Sequence, residues 1–215
     1  MEHTIQVFLK FGEEKRILDL YENGTVYLNA IEYFRKVEDG LLRGDKYEGV
    51  SKITNLPPGK MTIQELNVTV DYINIHLKEA YEVVLGNLYC IYCVSSHGWE
   101  NPLDFKIDGK NAGFGEYCLM IKQPGVFIQK VENALKELNY KFRHDFVEYY
   151  DKNSVNGGIN LFQKPLEFEH QKEFRFYVEN EKIEPIKLNI GSMKDYAELF
   201  KTEDILEMTL SHASN

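Results

Sequence analysis

The sequence predicts an α+β fold, a mixed and mostly antiparallel sheet system with a few flanking helices. Three observations predict it. Segments with strand character outnumber helical ones, no regular βαβ alternation appears, and the 215 residues hold neither an internal repeat nor a low-complexity linker. A chain of this length can bury most of its apolar surface in one core. Residues 1–215 are therefore expected to form a single domain, with a peripheral insertion at 56–81.

Each element has its own signal. Thr4 to Phe11 is β-branched and aromatic and reads as a strand that Gly12 ends. Glu13 to Glu22 places Ile17, Leu18 and Tyr21 on a helical stripe, and Asn23-Gly24 supplies the stop. Thr25 to Leu28 is a short strand, and Ala30 to Arg35 one or two helical turns. From Lys36 to Asp45 the charge density, with Gly40, Gly44 and Gly49 nearby, predicts an exposed loop. Leu56-Pro57-Pro58-Gly59 breaks the chain, and 61–81 is expected to add peripheral strands. The strongest apolar run, 82–96, predicts a strand, a turn at Gly86-Asn87 and a buried central strand. Residues 115–121 form another expected strand. Gln123-Pro124-Gly125 then opens a helix over 125–138, with Val126, Phe127, Val131, Ala134, Leu135 and Leu138 on its apolar face. Strands are expected at 142–150, 171–178 and 183–190. A last amphipathic helix should carry Tyr196, Leu199 and Phe200.

Composition narrows the function. With 25 Lys and Arg against 34 Asp and Glu, the formal net charge is −9. That balance disfavours extended, non-specific nucleic-acid binding, which needs many cations to displace counterions. No apolar run reaches the roughly 18–20 residues of a spanning helix, and the first residues do not resemble a secretory signal. The odd cysteine count, 3, fits reduced thiols in the cytoplasm.

The motif search is mostly negative. Cys90 and Cys93 form a C-x-x-C pair with only Cys118 besides, and a closed zinc site needs four ligands. In a strand the two would point to opposite faces, so buried structural thiols are expected and no metal site. The six histidines lack ligand spacing, and no P-loop or nucleophile elbow is present. The segment with chemical promise is Phe168 to Phe176. As a strand it would align Gln171, Glu173 and Arg175 on one face, an amide, a carboxylate and a guanidinium in a row. The plain alternative is an ion-paired solvent face. Two further polar groupings lie near strand ends: Tyr27, Asn29, Tyr33 and Arg35, and the pair Ser95-Ser96. Arg35 could equally pair with Glu32, Glu38 or Asp39, and the serines could form a turn.

Asn23-Gly24-Thr25-Val26-Tyr27-Leu28-Asn29 runs into the aromatic turn Glu32-Tyr33-Phe34-Arg35. An apolar strand ending in serine follows (Tyr89 to Ser96), then a glycine-aromatic strand (Gly113 to Ile121), then Lys164 through Phe168 to Glu173-Phe174-Arg175. This order resembles a widespread bacterial family of uncharacterised proteins found among defence and mobile-element genes. Arg35, Ser95-Ser96 and Gln171-Lys172-Glu173 also occur in the order of the arginine–serine–glutamate class of ADP-ribosyltransferases. The chain departs from that class in having Ser-Ser for Ser-Thr-Ser and no Arg on its first expected strand.

The second resemblance implies a split β-sandwich holding NAD in a cleft. Glu173 would stabilise the ribosyl cation and hold a ribose hydroxyl, as carboxylates do in glycosidic cleavage. Gln171 would position the acceptor, and Arg35 would bind pyrophosphate. Ser95 or Ser96 would fix the nicotinamide side, Tyr27 or Tyr33 would stack on a ring, and Asn29 and Arg175 complete the expected cofactor-binding set. The implied protein is an intracellular toxin or defence effector that transfers ADP-ribose from NAD to a protein or nucleic acid. The alternative on the same scaffold is a non-catalytic interaction protein whose acidic surface serves a protein partner. A membrane is not among the expected partners.

Overall fold

A computed structural model describes residues 3–37, 42, 44–97 and 105–209. In chain order the elements are β1 (Ile5–Gly12), α1 (Glu14–Asn23), β2 (Thr25–Ala30), α2 (Ile31–Lys36), β3 (Val50–Leu56), β4 (Gly59–Ile63), β5 (Val68–Tyr72) and β6 (Ile75–Ala80). Then come β7 (Asn87–Ser95), β8 (Tyr117–Ile121), α3 (Pro124–Glu137), β9 (Phe142–Phe146), β10 (Glu148–Tyr150), β11 (Gly157–Gly158) and β12 (Gln163–Pro165). The last are β13 (Glu173–Val178), β14 (Ile186–Asn189), β15 (Ala197–Lys201) and α4 (Thr202–Leu206). The fold is α+β, with mostly antiparallel sheets that do not close. No helix is long and apolar enough to cross a membrane among the described residues.

The main sheet runs β14-β2-β7-β1-β8-β15, and β13 and β9 continue it from the other edge of β7. The central strand β7 is buried along nearly its whole length, which explains its unbroken apolar run. Its two faces serve different cores. Tyr89, Ile91 and Cys93 join Phe8, Phe127, Phe174 and Phe176 under α3. Tyr92 and Val94 face Leu9, Phe11, Cys118 and Ile205. Helix α3 lays Phe127, Val131 and Leu135, each fully buried, on the first core.

The sheet forks at β7. Strand β13 covers one edge from Asn87 to Tyr92. Two strands share the opposite edge. β2 pairs only at Asn87 and Leu88, through Ala30 and Asn29, and β1 pairs at Tyr92 to Ser95. Beyond those contacts β1 leaves to pair with β8, and β2 leaves to pair with β14. Among the described strand pairings, Tyr89, Cys90 and Ile91 therefore have no strand partner on that edge. Helix α1 spans from one prong to the other. It ends at Gly24, whose φ of 67° is the left-handed conformation a helix stop requires.

Several sequence expectations change. Residues 82–86 are not a strand; the chain turns at Gly86, φ 111°, and β7 starts at Asn87. The expected strand 142–150 splits after Phe146, because β9 pairs with β13 while β10 pairs with β12 in a separate parallel ladder. The strand expected at 171–178 begins at Glu173, with a 3-10 helix over Leu166–Gln171 before it and Lys172 at φ 37° between. Leu199 and Phe200 lie on strand β15, which adds to the edge of β8, and the helix follows at Thr202. Sheet pairing overrides the helical spacing there. On α3, Val126 and Leu138 are exposed. Asp45 is buried, so the end of the expected exposed loop is an interior turn. The expectations that fall on residues 38–41, 43, 98–104 and 210–215 lie outside the described residues, Glu38 and Asp39 as partners of Arg35 among them.

Candidate functional site

A cleft of about 230 Å³ opens in the fork. Its walls follow from strand periodicity. On β2, Val26, Leu28 and Ala30 point to the core, so Thr25, Tyr27 and Asn29 face the cleft. β1 and α1 contribute Lys10, Phe11, Arg16 and Ile17, and the unpaired stretch of β7 contributes Tyr89 to Ile91. Tyr33, Phe34 and Phe114 add aromatic surface. A more open groove continues from the mouth and shares Arg16, Tyr27, Asn29 and Tyr33 with it.

The cleft wall opposite these lips is a lattice of buried charges. Lys164, on β12, donates to Gln171 Oε1 at 2.6 Å and to Glu173 Oε1 at 2.7 Å. The other Glu173 oxygen accepts from Arg175 Nη2 at 3.0 Å and Nε at 3.3 Å. Arg175 turns its remaining edge to Glu48, forming a fork of two bonds at 3.0 and 3.1 Å. Its Nη1 also donates to the Leu161 carbonyl. All four charged side chains are at most 6% exposed. Gln171 is held from its other end, its amide donating to the Leu42 carbonyl at 2.7 Å.

Two cations against two carboxylates make this set neutral, which is what permits its burial. Burial alone would raise the Glu173 carboxyl. The Lys164 ammonium and the Arg175 guanidinium outweigh it and hold the group well below the usual carboxylate range. Lys164 stays charged for the reciprocal reason: burial works against its charge, and Glu173 more than compensates. Asp45 lies beside the lattice with no ion-pair partner of its own among the described residues. Burial first, and then repulsion from Glu48, push its carboxyl up to about 6.

The sequence-derived residues divide in two. Gln171, Glu173, Arg175, Tyr27 and Asn29 converge on the cleft, and Tyr33 joins them at the mouth. Arg35 and the two serines do not line it. Arg35 pairs with Glu32 and donates to the carbonyls of Tyr81 and Glu82, so it ties α2 to the chain ahead of β7. Ser95 is buried opposite Ile5, and its hydroxyl accepts from the His97 amide. Ser96 accepts from the Thr4 amide. Both serines lie past the end of the fork, where β1 already covers β7.

Two lining residues, Glu48 and Lys10, carry no sequence signal, and a third, Cys90, carries only that of the C-x-x-C pair. Glu48 sits in a charged, glycine-flanked stretch that reads as solvent loop, and its partner lies far along the chain. Lys10 alternates with core residues on β1, where its ammonium reaches the Cys90 carbonyl and lies 4.4 Å above the Tyr89 ring. Cys90 shares the buried face of Glu173, and burial pushes its thiol up to about 12. Cys93 is raised similarly. Neither is a ready nucleophile at neutral pH, and all three cysteines are free thiols.

The chain was compared with protein-family models, curated proteins and solved structures, and none of the three comparisons returned a match. Any statement of function therefore stands on the cleft and its residues.

Proposed function

We propose that the cleft holds a nicotinamide dinucleotide and that the protein transfers ADP-ribose from it to a macromolecule, as an intracellular toxin or defence effector. The observation that carries this reading is Glu173, a carboxylate kept ionised on the wall of a sheet cleft, with Gln171 joined to it through the same lysine. Cleavage breaks the bond between the ribose carbon and the nicotinamide nitrogen. The electron pair stays with the ring, and the ribose carbon takes the positive charge. A fixed carboxylate lowers the energy of that cation. Gln171 positions the acceptor, whose proton leaves to solvent.

The cleft volume favours one orientation of such a ligand. About 230 Å³ is less than the roughly 300–1,000 Å³ of sites that enclose a drug-sized molecule. The nicotinamide-ribose end enters, against the lattice and the open edge of β7. The remainder runs out along the adjoining groove past Arg16, Tyr27 and Tyr33. Arg16 then takes the pyrophosphate contact that the resemblance gave to Arg35, and the tyrosines offer stacking faces.

Incubating the protein with labelled NAD and a bacterial lysate tests this directly. Label should enter a macromolecule, and Glu173→Gln, assayed below its own melting temperature, should lower the rate on the order of a hundred- to thousand-fold. Absence of label with the wild-type protein would sink the transferase reading.

A second reading, a partner-binding module, has its own observation. Strands β4 and β5 form a separate hairpin whose register puts Met61, Ile63, Val68 and Val70 together on one face, all exposed. Lys60, Thr62, Thr69 and Asp71 take the other face. An exposed apolar face of this kind marks interaction surfaces. Under this reading the charge lattice is a strut and NAD does not bind.

A further inference from the structure

A second group of side chains, away from the cleft, has the arrangement of an activated nucleophile. Asn55 on β3 and His76 on β6 are directly paired across the ladder. Asn55 Nδ2 donates to the carbonyls of Lys152 at 3.0 Å and Val155 at 2.7 Å. With both amide hydrogens engaged, its Oδ1 accepts from His76 Nδ1 at 2.7 Å. The proton of the neutral imidazole is thereby fixed on Nδ1, and the lone pair of Nε2 faces the Tyr47 hydroxyl at 3.0 Å. The phenol donates and the imidazole accepts. Lys78 Nζ lies 4.3 Å and Lys152 Nζ 5.5 Å from the centre of the Tyr47 ring.

We propose that Tyr47 is a nucleophilic phenol, a covalent acceptor for activated acyl donors, with His76 as its base and Asn55 orienting that base. Nucleophile, base and orienting group stand at hydrogen-bonding distances in sequence, which is the geometry such chemistry requires. In the reaction the phenol oxygen bonds to the acyl carbon while its proton passes to His76 Nε2. The bond from that carbon to the leaving group then breaks, and the departing group takes the proton from the imidazolium. The Lys78 ammonium favours the oxyanion that forms between these steps, whereas the Lys152 ammonium is paired with Glu167. His76 is exposed at the surface of the β3–β6 ladder, so a donor can reach the pair. The proposal does not depend on what the fork cleft binds.

N-acetylimidazole is the probe. The intact protein would be treated briefly, and hydroxylamine-labile acetyl groups located by mass spectrometry. Tyr81, 67% exposed, is the internal reference because a phenol without activation reacts according to its accessibility. General-base assistance is worth about a hundredfold or more. Tyr47, though less exposed, should acetylate at least about tenfold faster than Tyr81. His76→Gln should bring Tyr47 down to the reference rate while Tyr81 reacts as before, with a melting temperature close to that of the wild-type protein showing that the variant is folded. The proposal is overturned if Tyr47 in the wild-type protein reacts no faster than Tyr81, or if its advantage survives His76→Gln.

Discussion

Glu48 grips the Arg175 guanidinium through both carboxylate oxygens, at 3.0 and 3.1 Å, across 127 positions of the chain. The pair joins the turn ahead of β3 to the centre of β13, and so fixes one wall of the cleft to the main sheet. Removing one partner would leave a buried charge unmatched. Glu48→Gln is expected to cost about 3–5 kcal/mol. For a chain of this size that is a melting-temperature drop of roughly 6–20 °C, measurable by calorimetry. A drop below about 2 °C would mean that water already solvates Arg175.

Asp45 and Glu173 respond to pH with opposite signs. The Asp45 carboxyl, raised to about 6 from an ordinary value of 3.8, binds its proton more tightly folded than unfolded, so stability falls as pH rises through that window. A shift of about two units is worth about 3 kcal/mol. Glu173 is depressed, so its contribution is present above the unfolded carboxylate value and is lost as pH falls toward the folded one. Asp45→Asn should therefore stabilise the protein at pH 7, by up to about 3 kcal/mol, and leave it little changed near pH 4. Denaturant titrations at the two pH values check this. A variant less stable at pH 7 would contradict it.

Gly24 closes α1 in the left-handed conformation, and a Cβ there would stand 2.1 Å from the Gly191 carbonyl oxygen. Gly24→Ala meets both the intrinsic αL cost of about 1–2 kcal/mol and a backbone clash. A loss of at least about 2 kcal/mol is expected. Because α1 spans the two prongs of the fork and Gly24 leads it into β2, ligand affinity at the cleft should fall with it.

The thiols give a chemical check on burial. Burial raises Cys90 and Cys93 to about 12 and Cys118 higher, so little thiolate exists at pH 8. Ellman's reagent should react slowly with the native protein and release three equivalents after denaturation. A fast native equivalent would show that the packing around at least one of these three thiols opens.

Local patterns exposed most of the fold because they are local facts: the unbroken apolar run of β7, the proline-led helix α3, the glycine stop of α1. The errors fall where long-range pairing decides. Tyr196 to Phe200 carries helical spacing, yet the free edge of β8 takes 197–201 as a strand. The site was legible in the same proportion. Alternation put Glu173 and Arg175 on one face, and they share one. Gln171 reaches the cleft from a 3-10 turn rather than along the strand, brought there by Lys164 and the Leu42 carbonyl. Glu48 was hidden, since nothing near it in the chain announces a partner on β13. Arg35 stays out of the cleft because its carboxylate partner, three residues earlier on the same helix, holds it.

If the fork cleft binds a nicotinamide dinucleotide, calorimetric titration of NAD into the intact protein should register it. Tyr27 is 38% exposed at the mouth, so Tyr27→Ala should leave stability within about half a kcal/mol while removing a stacking face worth about 1–3 kcal/mol. One site per chain is expected, weakened roughly five- to 150-fold by that substitution. No heat of binding up to millimolar NAD, or binding that Tyr27→Ala leaves untouched, would contradict it.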